Sequence, residues 1–217
     1  MNFPTKNSPR NGVVVAIDVD NLLISFMEGG EIPGFKEGLR QKPQDLTWLG
    51  KFSIKAGFEN VFNWIKTFGQ ILCVHLYLPY SQTANDALWH GIWQDYKNEF
   101  LVEAIYCPKK PIDTRRAGKD RPTDEKPDNV DAHLIEHTKK MIELYGDKVG
   151  YFCLMSGDSD YGQLLRQLIK QEIKVAFVLG SKKSFSSAYK EGRVAGIHPE
   201  TKEELVHYFA PRRSEKV

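Results

Sequence analysis

The run Val13-Val14-Val15-Ala16-Ile17 constrains the fold more than any other stretch, because five consecutive apolar residues, most of them β-branched, leave no polar face for solvent. A strand of this kind is buried on both sides, as in the interior of a parallel sheet covered by helices. Asp18-Val19-Asp20-Asn21 follows at once. Carboxylates at the end of a buried strand are costly without compensation, so a cation or a set of donors is expected to face them. The carboxyl ends of parallel strands are also where open α/β sheets place their ligands. Tyr151-Phe152-Cys153-Leu154-Met155 repeats the design and ends in Ser156-Gly157-Asp158-Ser159-Asp160. If the two strands are neighbours, Asp18, Asp20, Asp158 and Asp160 converge on one edge of the sheet.

The intervening chain supports a parallel sheet. Apolar residues recur at helical spacing from Phe58 to Phe68 and from Ala84 to Phe100, the latter carrying Leu88, Trp89, Ile92, Trp93 and Tyr96 as one stripe. A core-facing helix accounts for that stripe better than a base-stacking platform. Ile71–Leu78, Leu101–Cys107 and Ile173–Leu179 read as further strands, and Asn129–Tyr145 and Tyr161–Gln171 as helices. Strand and helix therefore alternate, which argues an α/β fold with a doubly wound, mainly parallel sheet flanked by helices. Residues 1–12 read as a loose leader, 13–209 as a single domain and 210–217 as a basic tail. Leu22–Met27 reads as the start of a helix, Gly29 to about Leu49, broken by Gly and Pro, as a long loop within the stretch 27–57, and Lys202–Tyr208 as a helix in a weakly patterned end.

A chain of 217 residues is long enough to bury a full core. Its formal charge of +2, from 30 Lys and Arg against 28 Asp and Glu, is too balanced to announce a nucleic-acid binder, so any electrostatic argument is local. Lys109, Lys110, Arg115, Arg116, Lys119, Arg121 and Lys126 crowd one polar loop. Such a run is commonly a solvated surface; beside an acidic site it would guide a nucleic-acid backbone. Cys73, Cys107 and Cys153 each sit in or beside an apolar run without a C-x-x-C pair, as reduced core residues of a cytosolic protein do. No apolar run approaches the roughly 20 residues of a membrane span, and there is no signal-peptide core. No membrane partner is expected, and the expected location is the cytoplasm.

The chemistry rests on the carboxylates. Hard oxygen ligands suit Mg²⁺ or Mn²⁺, and Asp131, in the first turn of the Asn129 helix, would reach the same edge. Taken singly, Ser156, Asp158 and Ser159 also read as ordinary helix caps. Taken as a set at two strand ends, the acids favour a metal site.

These residues carry a resemblance. Ile17-Asp18-Val19-Asp20-Asn21-Leu22, Asn129-Val130-Asp131 and Ser156-Gly157-Asp158-Ser159-Asp160-Tyr161, in that order, resemble the NYN-domain family, the LabA-like branch of the PIN-like nucleases, over about Val13 to Leu179. The resemblance implies a PIN-like fold and metal-dependent hydrolysis of RNA phosphodiester bonds. Asp18, Asp131, Asp158 and Asp160 would be the catalytic acids and hold Mg²⁺ or Mn²⁺, and Asn21 and Ser156 would hold water or a phosphate oxygen. Lys109, Lys110, Arg115 and Arg116 would contact substrate, expected to be single-stranded RNA, with self-association left open. Two positions depart from the family's pattern. Tyr161 replaces the usual Phe, and His137 stands where a further aspartate often follows the helix acid, which speaks against a second metal. The competing readings are a non-catalytic RNA-binding or scaffold module, and a phosphatase or nucleotide hydrolase. His133-Leu134-Ile135-Glu136-His137 also fits the H-x-x-E-H pattern of zinc proteases, with no third ligand identifiable.

Overall fold

In the computed structural model, which describes residues 10–29, 52–79, 86–108, 129–190, 205–209 and 212–213, the first apolar run forms β1 (Gly12–Asp18), buried along its whole length. It is followed by α1 (Val19–Gly29), β2 (Phe52–Ser53), α2 (Ile54–Lys66), β3 (Gln70–Pro79), α3 (Asp86–Trp93) and β4 (Leu101–Cys107). Then come α4 (Val130–Tyr145), β5 (Val149–Met155), α5 (Gly162–Lys170), β6 (Lys174–Leu179), α6 (Ser187–Lys190), β7 (Val206–Tyr208) and β8 (Arg212–Arg213). The central sheet has the order β4-β3-β1-β5-β6-β7 and every neighbouring pair is parallel. This is a doubly wound α/β fold. β2 and β8 form a separate antiparallel pair.

Strand periodicity divides the core into two layers. Val13, Val15 and Ile17 pack with Leu22 and Leu23 of α1, Phe58 and Phe62 of α2 and Trp89 and Trp93 of α3. Val14 and Ala16 face the other way, against Leu134 of α4 and Leu164, Leu165 and Leu168 of α5. Each fully buried aliphatic side chain contributes about 1.5–3 kcal/mol. The aromatic stripe is core: Phe62 meets Trp93, Tyr96 and Phe100 edge-on at 5.9, 5.0 and 5.2 Å. The same alternation puts Asp18 on the α4/α5 side of the sheet.

The chain steps from β1 to β3 and β4 in one direction, then returns with β5 on the other side of β1. Ile17 lies level with Met155, so the carboxyl ends of β1 and β5 meet where the strand order reverses, the position at which such sheets bind ligands.

Several expectations are corrected. Val206–Tyr208 is not helical: it extends the sheet beside β6, with Phe177 opposite Val206 and Leu179 opposite Tyr208. The reason is alternation in a short segment, since Leu205 packs on one core layer, Val206 on the other, and the His207 ring stacks on Trp64 at 4.9 Å. The helix expected over Ala84–Phe100 ends at Trp93 and continues as a 3₁₀ turn, Gln94–Tyr96. Residues 10–12 are not loose: Arg10 donates to the Gln171 carbonyl at 3.0 Å, Asn11 accepts from the Gln70 amide at 2.9 Å, and Gly12 opens β1. Most of the loop expected over 27–57, and all of 109–126 with its basic cluster, lie outside the described residues. Within the basic tail, Arg212–Arg213 pairs with Phe52–Ser53. None of the three cysteines forms a disulfide, and all three are buried. Among the described residues no helix is long and apolar enough to cross a membrane.

Candidate functional site

Asp18 ends β1 with only 5 % of its surface exposed. Its Oδ1 accepts the Asn21 N–H at 3.1 Å, and its Oδ2 accepts the Tyr161 hydroxyl at 2.8 Å and lies 3.4 Å from Ser156 Oγ. Tyr161 closes the 3₁₀ turn Ser159–Tyr161 that follows β5 and is wholly buried. The same hydroxyl lies 2.9 Å from Oδ1 of Asp131, in the first turn of α4. A phenol has one hydrogen, so it satisfies one of these carboxylates, and the other short contact requires a second proton or a cation. Burial pushes Asp18 up to about 6; the Tyr161 and Asn21 hydrogen bonds oppose that shift, and the charges of Asp131 and Asp158 add to it. Burial and the two carboxylates push the Tyr161 hydroxyl far above its ordinary value, so it remains a donor.

The end of β5 is tied to the same place. Asn21 Oδ1 accepts the Gly157 N–H at 3.1 Å, and Ser156 Oγ accepts the Asp158 N–H at 3.2 Å. Asp158 Oδ1 accepts the Asp160 N–H at 3.1 Å, which makes it the cap of the 3₁₀ turn, and its carbonyl accepts the Tyr189 hydroxyl. Asp18, Asp131 and Asp158 are thus brought together around Tyr161 and Ser156. Asp160 is exposed, and its charge acts on Tyr189. Asn21 and Ser156 use their side-chain oxygens to fasten the two strand ends to each other. Lys109, Lys110, Arg115 and Arg116 lie outside the described residues.

Beside Asp158 a polar groove is lined by Asn21, Ser159, Lys183, Ser186 and Ser187. Its shape depends on Gly157, where an added Cβ would lie 2.0 Å from the Ser184 carbonyl oxygen, while the Ser186 N–H donates to the Gly157 carbonyl at 2.9 Å. Backbone cannot yield there as a flexible side chain can. Gly157→Ala should therefore cost about 1–3 kcal/mol, read from the urea midpoint. A wild-type midpoint would contradict this close approach.

The H-x-x-E-H reading does not assemble. Glu136 turns outward to Lys140 at 2.8 Å, and His137 instead faces β3, its Nδ1 lying 3.0 Å from the Tyr77 hydroxyl and its ring centroid 4.6 Å from that of His75. Burial and His137 push His75 down to about 4.

Asp18 and His75 make opposite contributions to stability. A carboxyl raised to about 6 in the fold binds its proton more tightly there than in the unfolded chain, so its contribution is full below about pH 4 and lost as pH rises through 6. An imidazole lowered to about 4 contributes fully above pH 6.5 and loses that contribution as pH falls through 4. Each shift of about two units corresponds to roughly 3 kcal/mol, and the two offset each other. In EDTA, Asp18→Asn should gain about 2–3 kcal/mol relative to wild type as pH is raised from 4 to 6.5, measured by denaturant titration at each pH. A variant curve parallel to wild type would remove Asp18 as the source.

Sequence reasoning treated Tyr161 as a replaced Phe and missed its place between two carboxylates, and it overlooked His75, although a histidine inside an apolar strand run is itself a signal. In comparisons with known proteins, the chain matches no family model and no curated sequence. It is similar in structure to a protein of unknown function from Vibrio parahaemolyticus, with a TM-score of 0.51 and 16 % identity over 86 % of this chain and 91 % of that one, a likeness of fold.

Proposed function

We propose that the chain is a metal-dependent ribonuclease that hydrolyses RNA phosphodiester bonds at the edge where β1 and β5 end. The observation that carries this reading is the Tyr161 hydroxyl, 2.8 Å from Asp18 and 2.9 Å from Asp131, which leaves a deficit of positive charge at the strand-order reversal. The donor set is hard oxygen, which fits Mg²⁺ or Mn²⁺. Asp18, Asp131 and Asp158 would hold the ion, with Asp160 at the rim. When bound, the ion supplies positive charge to a phosphate oxygen and makes a nearby water more acidic.

The chain's own residues do the positioning. The Asn21–Gly157 and Ser156–Asp18 hydrogen bonds fix the spacing of the strand ends. Lys183, Ser186 and Ser187 line the adjoining groove and would receive the phosphate backbone, and the basic cluster at Lys109, Lys110, Arg115 and Arg116 would attract it. A second reading, a non-catalytic RNA-binding module, draws on Asp158, whose carboxylate already serves as a turn cap. Incubation of the purified protein with labelled single-stranded RNA, duplex RNA and DNA, each with Mn²⁺, Mg²⁺ or EDTA, separates the two. The nuclease reading expects cleavage of single-stranded RNA that EDTA abolishes. RNA binding without cleavage under every metal condition would favour the module.

A further inference from the structure

We infer that this protein carries a second metal site, for a borderline transition ion such as Zn²⁺, built from His75 on β3, Glu103 on β4 and His137 on α4. One ligand atom from each of the three lies within 4.8 Å of the other two, and among the described residues no other group of His, Cys, Asp and Glu is assembled so closely. Two imidazoles and a carboxylate are the donors of open zinc sites, where three protein ligands leave the fourth position to water.

The independent observation is the state of His75. Its ring is 99 % buried, yet Nε2 has no hydrogen-bond partner. Trp89 Nε1, Trp93 Nε1 and Thr138 Oγ1 are also buried without a partner among the described residues, but of the four only His75 belongs to a group of ligand residues. The nearest counterpart, Glu103 Oε2, stands 3.6 Å away, too far for a good hydrogen bond. Two donors on a tetrahedral ion at about 2.0–2.1 Å are separated by roughly 3.3 Å, close to the 3.6 Å between His75 Nε2 and Glu103 Oε2. Two imidazoles lie together here, their ring centroids 4.6 Å apart, and neutral imidazole is the form that ligates metal.

The remaining geometry is that of a binding site with an access route. The Glu103 side chain is 57 % exposed on the edge strand, so an ion can arrive from solvent, while His75 forms the buried floor. The Tyr77 hydroxyl beside His137 Nδ1 can accept its N–H, which orients the ring and leaves the lone pair on Nε2. This site is separate from the acidic edge. His75 lies level with Ala16, two residues before Asp18, about 7 Å back along the strand direction. His137 is about 9 Å along α4 from Asp131. The donor chemistry differs as well, since imidazole selects Zn²⁺, Cu²⁺, Ni²⁺ and Co²⁺ over Mg²⁺. A bound ion would pin α4, which carries Asp131, to the β3–β4 edge of the sheet.

The test uses the full chain stripped with EDTA and dialysed into metal-free buffer. Calorimetric titration with Zn²⁺ should show one saturable site per chain, with a rise of several degrees in Tm, and Co²⁺ should give the visible absorption of a four-coordinate ion. Glu103→Gln and His137→Gln change partly exposed residues and should leave the fold intact. Each should weaken Zn²⁺ by roughly 100-fold, since even the outer partners of a metal ligand are worth about 10- to 100-fold. His133→Gln and Asp158→Asn should leave Zn²⁺ affinity unchanged. Zn²⁺ binding that survives both Glu103→Gln and His137→Gln, that disappears with Asp158→Asn, or that is absent from the wild type overturns the proposal. None of these outcomes depends on RNA cleavage.

Discussion

Asp158→Asn should abolish RNA cleavage while leaving the protein folded. Asparagine keeps an oxygen for the Asp160 N–H, so the cap after β5 persists, and exchanges between these two cap residues cost little. What disappears is one of the two carboxylate charges that act on Asp18. Because the Asp158 charge helps to raise Asp18, its removal relaxes that carboxyl toward its ordinary range and makes the metal-free fold as stable as wild type or slightly more so. Under the nuclease reading, loss of a carboxylate from the cation site forfeits about 4 kcal/mol of transition-state stabilisation, equivalent to a rate lower by roughly 10³. The check pairs a urea midpoint with a cleavage assay in Mn²⁺. Undiminished cleavage by folded Asp158→Asn would remove the acidic edge as the catalytic centre.

Tyr161→Phe should have the opposite profile, harming the metal-free protein and sparing the metal-bound one. The ring remains in its fully buried position, and its neighbours keep their packing. The hydroxyl between Asp18 and Asp131 is lost, leaving two carboxylates facing each other without the donor they share. In EDTA at pH 7 the variant should lose about 2–3 kcal/mol, the usual cost of stranding a buried charged acceptor. The loss should shrink as pH falls to about 6, since Asp18, raised further by the change, is protonated there. The space vacated by the hydroxyl lies between two carboxylates, so a cation should fill it. The Tm difference between Mn²⁺ and EDTA should therefore be wider in Tyr161→Phe than in wild type. A variant as stable as wild type in EDTA would show that the phenol is not the shared donor, and an unchanged Mn²⁺ response would exclude the cation from this position.

The acidic edge was legible because it depends on periodicity. Val14, Ala16 and Asp18 alternate with Val13, Val15 and Ile17, so the face that Asp18 occupies follows once β1 is recognised as a buried strand. The adjacency of β1 and β5 was an inference from two similar strand ends, and the sheet order bears it out. Tyr161 was harder to read, because its hydroxyl gains its significance from Asp131, which a different helix brings across. His75, Glu103 and His137 come from two strands and a helix that no short motif links, and the local H-x-x-E-H pattern pointed instead to Glu136, which the helix turns to solvent beside Lys140. Val206–Tyr208 was misread because three residues are too few to separate periods of two and 3.6.

The position of β1 has a consequence for how the protein is made. β1 hydrogen-bonds to β3 on one side and β5 on the other, and β5 begins at Val149, more than half the chain beyond Asp18. A ribosome adding about 5–20 residues per second needs on the order of ten seconds to cover that distance. For that interval the nascent chain presents Val13-Val14-Val15-Ala16-Ile17 with one flank unpaired, a β-branched, uncharged segment of the kind on which other chains nucleate aggregates. The finished sheet hides this segment completely, so its exposure to other chains ends when β5 closes the open flank.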